Sequence, residues 1–211
     1  MSRPHRCWVP EGIYHLTLRG NNRQPIFLDE ADHQHFLVEL DHARAHYPFR
    51  LLAFALMPNH VHLVVEASPQ ASVSDTMRQV AASYTRYFND RYQRVGHLYQ
   101  GRFYSNFVNR DAHLLEVTRY VHLNPFRARL AQRVIDYPWT SYKAYLGIER
   151  NPQPLVEPER ILSLFGSTPA EQAAQYRRFV EDLATQEREI EAWLRRLYRN
   201  RLIPPPRWLK K

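Results

Sequence analysis

The chain has 211 residues, of which 44% are hydrophobic and 24% are charged. This composition is typical of a globular protein and excludes disordered and fibrous classes, while the length excludes small scaffolds held by disulfides. The longest apolar run, at 51–57, is much shorter than the roughly 20 residues that a membrane-spanning helix needs. The single cysteine, Cys7, cannot form an intrachain disulfide, so we expect a cytosolic protein.

The formal net charge of +8 is concentrated near the end of the chain. Residues 193–211 contain no acidic side chain, and their basic residues are Arg195, Arg196, Arg199, Arg201, Arg207, Lys210 and Lys211. A second stretch, 75–110, interleaves arginines with aromatic residues, a pattern that suits single-stranded nucleic acid because guanidinium groups bind phosphates and rings stack on bases. Genome base composition also explains an arginine excess, so charge alone leaves both explanations open.

Hydrophobic periodicity predicts alternating strands and helices over the first part of the chain. The predicted elements are a strand at 12–19, a turn at 20–22, a helix at 29–46, strands at 49–56 and 60–66, a helix from Ser72 or Ser74 to 91, a strand at 103–109, and a helix from Asp111 toward 123. Asp29 and Asp111 are the predicted caps of their helices. The predicted order is βαββαβα.

The pattern changes after this segment. Asn124 and Pro125 predict an interruption, with Asn124 capping a further helix to about residue 134. Prolines between 151 and 158 predict a linker, and Thr168 to Glu171 forms a capping box that opens a long amphipathic helix to about 199. We therefore predict a domain at 1–150, followed at 151–211 by a linker, the long helix and a basic, extended tail.

The sharpest local motif is His60-Val61-His62, inside a predicted strand. Side chains two residues apart on a strand share a face, so both imidazoles can converge on one divalent ion while Val61 packs on the opposite face. Paired histidines on a strand can equally be half-buried without a metal. The spacing alone does not decide between the two interpretations.

A second motif is Tyr120-Val121-His122-Leu123-Asn124-Pro125. If the helix continues through Asn124, the Tyr120 phenol and the Asn124 amide are neighbours at positions i and i+4. Asn124 could then help to hold an ion next to a nucleophilic tyrosine. Pro125 favours the alternative, in which Asn124 is a plain helix cap.

Four motifs occur in register along residues 10–145, and together they resemble one family. They are Arg19-Gly20-Asn21-Asn22-Arg23-Gln24, the stretch 57–64, Gln100-Gly101-Arg102-Phe103, and residues 119–125 with Arg127-Ala128. The combination is similar to the REP-associated tyrosine transposases, relatives of the IS200/IS605-type single-tyrosine transposases of the HUH nuclease superfamily. The resemblance implies an α+β, ferredoxin-like or RRM-like fold with an antiparallel sheet, which agrees with the order βαββαβα.

The resemblance also implies roles for individual residues. His60 and His62 fall on the histidine pair that binds Mg²⁺ or Mn²⁺, and Tyr120 falls on the nucleophile. Asn124 takes the place of the third metal ligand, which is a longer glutamine in IS200-type relatives. The implied reaction is cleavage of single-stranded DNA beside palindromic hairpins, through a 5′-phosphotyrosine intermediate that later allows rejoining.

The implied partner is hairpin DNA of the REP or palindromic type, which predicts a nucleoid-associated protein. The predicted DNA contacts are Arg19, Asn21, Arg23 and Arg102 in the first domain, and Arg195, Arg196, Arg199 and Arg201 in the tail, which would grip the hairpin stem through its phosphates. Both monomer and dimer remain open. Two other functions also remain open at this point: a DNA-binding module without catalysis, and a metal-dependent hydrolase that activates water.

Overall fold

The computed structural model describes residues 9–109, 111–148 and 155–199, with side chains described as far as residue 189. The strands in this part of the chain are β1 (Ile13–Arg19), β2 (Phe49–Met57), β3 (His60–Ala67) and β4 (Tyr104–Val108). The helices are α1 (Glu30–His46), α2 (Val73–Arg91), α3 (Asp111–Arg127), α4 (Tyr142–Tyr145), α5 (Glu159–Leu162) and α6 (Pro169–Arg199). Short 3₁₀ turns lie at Asn21–Arg23 and Val134–Asp136.

The four strands form one antiparallel sheet in the order β2-β3-β1-β4. β1 and β3 lie side by side at the centre of this sheet, because β2 and β3 form a tight hairpin and helices make the other connections. This arrangement confirms the predicted α+β, ferredoxin-like fold. The register sets Arg19 opposite His60 and Thr17 opposite His62, so polar residues of β1 and β3 meet at one end of the sheet.

The alternation of β1 explains how the two faces of the sheet are used. Tyr14, Leu16 and Leu18 are buried on the face that packs against α1 and α2, where Leu40 and Met77 close the core against the sheet. His15, Thr17 and Arg19 lie between them on the opposite face and are only partly buried. That second face is covered over β2 and β3 by α3.

Capping chemistry fixes the starts of the helices as predicted. The Asp29 carboxylate accepts a hydrogen bond from the amide of Asp32 at 3.1 Å, and the Ser72 hydroxyl caps α2. Asp32 itself is fully buried, where its carboxylate accepts hydrogen bonds from the Tyr92 hydroxyl at 2.9 Å and from the Arg91 guanidinium at 2.6 Å. This buried carboxylate joins the start of α1 to the end of α2.

Two predictions about the middle of the chain were wrong. Asn124 and Pro125 do not interrupt α3, which continues to Arg127. An internal proline removes one backbone hydrogen bond and costs roughly 3 kcal/mol, but Val121, Leu123 and Pro125 are buried, and this packing keeps the helix intact. The predicted helix to residue 134 is instead a turn, with Arg129 at a φ of 60°. In addition, Asp111 is the first residue of α3 rather than the cap before it.

The long C-terminal helix begins as predicted. The Thr168 hydroxyl accepts from the amide of Glu171 at 3.3 Å, and the Glu171 carboxylate accepts from the amide of Thr168 at 3.1 Å, which completes the capping box. Tyr176, Val180 and Ala184 are buried on the face of α6 that lies against α3. Across the described ranges, no helix combines the length and the apolar character needed to span a membrane.

Candidate active site

The histidine pair lies at the start of β3 on the face covered by α3. The ring centroids of His60 and His62 are 4.9 Å apart, as expected for side chains two residues apart on a strand. Val61, between them, is fully buried in the core on the other face. The strand geometry that the sequence predicted is therefore confirmed.

Each histidine uses one ring nitrogen to hold its orientation. The His60 Nδ1 hydrogen-bonds to the Asn59 side-chain oxygen at 2.7 Å, and the Asn59 amide nitrogen in turn donates to the Arg23 carbonyl at 3.0 Å. Because the Asn59 oxygen can only accept, the His60 proton lies on Nδ1. The His60 Nε2 therefore carries the lone pair that a metal ion requires.

A further histidine orients His62. The His62 Nδ1 shares a hydrogen bond of 2.9 Å with the Nε2 of His15 on β1, and the Thr17 hydroxyl lies 3.3 Å from the same Nδ1. The two imidazoles are stacked with centroids 5.1 Å apart. The His62 Nε2 is buried and has no hydrogen-bond partner among the described residues; it carries a lone pair for a ligand in the tautomer in which the His62 Nδ1–H donates to the His15 Nε2.

The surroundings keep these rings neutral. Burial lowers the pKa of His60 to about 4, with the Arg19 charge adding to the effect. Burial lowers the pKa of His62 to about 2, with additional contributions from His15, His60 and Arg19. The pKa of His15 is lowered to about 4, again mainly by burial. A neutral imidazole is the form that binds metals, so the site is ready for a cation at neutral pH.

Tyr120 lies over this cluster. Helix α3 places its ring centroid 5.6 Å from that of His62 and 6.0 Å from that of His15, in edge-on contact. The tyrosine is 42% exposed, so its hydroxyl is reachable by a large substrate. The expectation that residues 60, 62 and 120 meet in space, although they are distant in sequence, agrees with this geometry.

Asn124 is brought to the site by helical spacing alone. It lies one turn after Tyr120 on the same face of α3, because the helix continues through Pro125. Its amide nitrogen is buried and has no hydrogen-bond partner in the described part of the chain. The two ends of an asparagine amide have the same shape, so a rotation of the amide would place the oxygen at this position instead. No described hydrogen bond or ring contact joins Asn124 to either histidine.

Two buried polar groups beside Tyr120 fit a bound cation. The His62 Nε2 and the Asn124 amide have no hydrogen-bond partner among the described residues, whereas buried polar groups usually have one. Two neutral imidazoles and one amide oxygen would leave coordination positions open for substrate oxygens. The described residues contain no group of three or more His, Cys, Asp or Glu side chains suited to a metal, so any metal here depends on Asn124 or on the substrate for further ligands.

The predicted DNA contacts fall in three places. Arg19 is close enough to lower the pKa of His60, and Asn21 and Arg23 lie in the 3₁₀ turn directly after β1. The Gly20 amide donates to the Asn59 carbonyl at 2.8 Å, so this turn sits beside the start of β3. These residues therefore lie at the same end of the sheet as the histidines.

The remaining predicted contacts are not at the histidines. Arg102 lines an open cleft of about 870 Å³ on the α2 side of the sheet, together with Leu18 and Met77. The backbone of Arg195, Arg196 and Arg199 belongs to α6, but their side chains lie outside the described residues. Arg201 lies wholly outside the described residues.

Sequence reasoning missed two parts of the site. His15 stands in a plain alternating strand, and only the pairing of β1 with β3 shows that it supports His62. Arg127 belongs to the motif at the end of α3, and the sequence predicts no function for it. Its guanidinium carbon lies 5.6 Å from the Tyr120 ring centroid. Its spacing of seven residues from Tyr120, two helical turns, was the available signal once α3 was known to continue past Pro125.

Comparisons with known proteins identify the family of this chain. The family model described as "Transposase IS200 like" matches residues 9–124, more than half of the chain. A Haemophilus influenzae protein with the provisional name REP-associated tyrosine transposase is 23% identical over 163 residues, covering 72% of this chain and 92% of that protein. The segment that the family model matches contains His60, His62, Tyr120 and Asn124.

Two solved structures are also similar. One is a REP-associated tyrosine transposase bound to a REP hairpin; it superposes with a TM-score of 0.60 at 18% identity, covering 74% of this chain and 90% of that chain. The second, a protein of Deinococcus radiodurans R1 provisionally called a transposase, gives a TM-score of 0.41 at 20% identity over 57% of this chain and 95% of that one. At these identities the first likeness supports the fold. The family match establishes that this chain belongs to the IS200-like transposases, a family of enzymes.

Proposed function

We propose that this protein cleaves and rejoins single-stranded DNA next to a palindromic hairpin, with Tyr120 as the nucleophile. The observation that supports this most directly is the contact of the exposed Tyr120 ring with the buried His62. A partly exposed tyrosine and two buried imidazoles with unengaged Nε2 atoms supply a candidate nucleophile and a candidate cation site side by side. Metal-assisted phosphodiester transfer to a side chain uses both of these components.

The proposed reaction is a transesterification. The Tyr120 oxygen forms a bond to the scissile phosphorus, the bond from phosphorus to the 3′ oxygen breaks, and the phenol proton is lost while the 3′ oxygen gains one. The products are a 5′-phosphotyrosine and a free 3′-hydroxyl. The number of phosphoester bonds is unchanged, so a 3′-hydroxyl can reverse the step and join strands without an external energy source.

His60, His62 and Asn124 are the residues that would hold Mg²⁺ or Mn²⁺. When bound, such an ion neutralises charge on the phosphate oxygens as the phosphorus becomes five-coordinate. The chain's own contribution is orientation, because Asn59 and His15 fix the rings of the two histidines through their Nδ1 atoms. Imidazole donors suit Mn²⁺ better than Mg²⁺, which prefers oxygen ligands. We therefore expect Mn²⁺ to support the faster reaction at equal concentration.

The proposed partner is REP-like hairpin DNA, which is the ligand of the structural neighbour with the TM-score of 0.60. Arg19 and the turn at Asn21–Arg23 lie at the end of the sheet where β3 begins, so they are placed to hold phosphates near the histidines. The proposed role of Arg195, Arg196, Arg199 and Arg201 is to grip the hairpin stem, a contact that depends strongly on salt concentration. Such contacts predict a nucleoid-associated protein.

The test is covalent trapping on DNA. The protein is incubated with Mn²⁺ and a 3′-labelled, single-stranded oligonucleotide that carries a palindromic repeat hairpin from the source genome. We expect an adduct that survives denaturation and disappears in Tyr120→Phe. Tyr104→Phe is the matched control, because Tyr104 is an exposed tyrosine of β4 that has no part in the proposed reaction.

The same experiment separates the other two functions. Cleavage without an adduct, or cleavage that persists in Tyr120→Phe, would indicate attack by activated water. Binding of the hairpin with no cleavage in Mg²⁺ or Mn²⁺ would indicate a binding module. His60→Ala and His62→Ala should abolish the adduct and leave hairpin affinity nearly unchanged; an adduct in either variant would contradict the metal assignment.

A further inference from the structure

An arginine at the end of α3, Arg127, lies beside the proposed nucleophile Tyr120. The family match ends at residue 124 and does not include this arginine. The Cζ atom of Arg127 lies 5.6 Å from the Tyr120 ring centroid. This is within the distance at which a guanidinium and a ring interact. A phosphoryl group attacked by the Tyr120 hydroxyl would therefore arrive next to a fixed positive charge.

The guanidinium of Arg127 is held by α6. Its Nε and Nη2 donate to the two carboxylate oxygens of Glu187 at 3.1 and 2.6 Å. This two-point contact fixes the plane of the guanidinium, which a single hydrogen bond would not do. No hydrogen bond from Nη1 or from the second N–H of Nη2 to a described residue is seen, so three of the five N–H donors of Arg127 are left for a ligand.

The surface beside this pair is suited to an anion. A cleft of about 530 Å³ between the end of α3 and α6 is lined by Arg127, Arg129 and Arg188, with Glu187 as its acidic residue. The C-terminal end of a helix is itself unfavourable for an anion. Arg127 and Arg188 against Glu187 offset that effect and leave an excess of one positive charge among these three side chains, which complements a DNA backbone.

We propose that Arg127 is a catalytic residue whose guanidinium contacts the non-bridging oxygens of the scissile phosphoryl group, and that Glu187 is the positioning residue that aims it. This inference rests on the proposed function and adds to it a residue outside the matched segment. Negative charge on those oxygens increases as the Tyr120 oxygen bonds to phosphorus and the 3′ oxygen departs. A donor fixed in advance stabilises that state more than the ground state. Because rejoining passes through the same state, Arg127 acts in both directions.

The primary test measures single-turnover formation of the Tyr120 adduct with the hairpin oligonucleotide and Mn²⁺. Arg127→Gln should slow the reaction roughly 100-fold, while Arg127→Lys restores part of the rate and hairpin affinity is unchanged in both. Glu187→Gln should slow it roughly 10-fold, as loss of an orienting partner does. The double variant should be no slower than Arg127→Gln, because Glu187 acts through Arg127.

Arg133→Gln is the matched control. Arg133 also forms a two-point pair with a carboxylate, that of Asp136, but it is 74% exposed on the turn after α3. This variant should form the adduct at the wild-type rate. Thermal melts of all variants verify that the fold is retained, and a Glu187 effect that persists in the absence of Arg127 would overturn the positioning role.

A substrate with a neutral methylphosphonate at the scissile position distinguishes contact from mere structure. The methyl group removes one of the two non-bridging oxygens and one negative charge, so the rate difference between the wild type and Arg127→Gln should be much smaller on this substrate. The proposal would be overturned if Arg127→Gln slowed adduct formation equally on both substrates, or if it formed the adduct on normal DNA at the wild-type rate. Failure of the proposed function looks different, because the wild type would then form no adduct or Tyr120→Phe would still form one.

Discussion

A buried histidine on α3, the helix that carries Tyr120, should make the stability of this protein depend on pH. His122 is fully buried, with its Nδ1 2.7 Å from the Tyr176 hydroxyl and its Nε2 2.7 Å from the Ser141 hydroxyl. Burial lowers the pKa of His122 to about 3. The ring thus stays neutral in the folded protein at pH values where an unfolded histidine is already charged.

The sign and size of the effect follow from proton linkage. Below the unfolded pKa of about 6.5, the unfolded chain binds a proton at this position that the folded chain does not. Stability is therefore fully present above that pKa and is lost as the pH falls toward the folded pKa of about 3. Between pH 7 and pH 5, His122 alone should remove about 2 kcal/mol from the free energy of unfolding.

His122→Phe isolates this contribution because it keeps a ring of similar size and removes the titrating group. At pH 7 it leaves the buried Tyr176 hydroxyl without its partner, whereas the Ser141 hydroxyl keeps its contacts with the Phe54 backbone; the loss should cost about 2 kcal/mol. At pH 5 the difference from the wild type should shrink by about 2 kcal/mol, since only the wild type loses the linkage contribution. Contributions from the other histidines cancel in this difference.

The assay is urea unfolding at both pH values, in EDTA so that no metal binding contributes. Val95→Ala is the control, because Val95 is exposed and the change removes no titrating group, so its difference from the wild type should be the same at both pH values. If His122→Phe does not fold, Tyr176→Phe provides the cost of losing one hydroxyl while the wild-type pH dependence is retained. A His122→Phe difference that is the same at pH 7 and pH 5 would refute the reasoning.

Three other predictions concern the start of α1, the residue that orients His62, and the turn after β1. Asp32→Ala should lower the free energy of unfolding by about 2–3 kcal/mol, measured with urea, because the Tyr92 hydroxyl and the Leu28 amide would lose their buried acceptor; a loss below about 1 kcal/mol would contradict this account. His15→Ala should weaken Mn²⁺ binding roughly 10- to 100-fold in calorimetry, since His62 loses its orienting partner, and unchanged affinity would exclude that role. Gly20→Ala should lower the melting temperature, because its Cβ would overlap the carbonyl oxygen of Gln24, with a cost of about 1–3 kcal/mol.

The local elements were predictable because each depends on residues close in sequence. Each of these features depends on residues only a few positions apart. Examples are the Asp29 cap, the alternation of β1 and the capping box at Thr168. The continuation of α3 was not predictable in this way. The cost of Pro125 is local, but the packing that offsets it comes from β2 and α6, elements distant in the chain.

The candidate site was predictable only in part for the same reason. The shared face of His60 and His62 follows from strand geometry, whereas their meeting with Tyr120 was indicated by the family resemblance. His15 supports His62 because Thr17 pairs with His62, and a shift of one residue in that register would turn His15 toward the core. The alternation of β1 fixes the face on which His15 lies, but it does not show which strand pairs with β1 and therefore which residue lies beside His15.

The C-terminal helix contributes to the site although it lies outside the family match. Helix α3 presents Tyr120 to the histidines on one face, and two residues later it presents His122 to Tyr176 of α6 on another. Successive residues of a helix are separated by about 100°, so the hydrogen bond from His122 and the ion pair from Arg127 to Glu187 together fix the rotation of α3 about its axis. A small rotation would move the Tyr120 ring away from His62. The orientation of Tyr120 therefore depends on two contacts with α6, one from His122 on another face of α3 and one from Arg127 on the face of Tyr120.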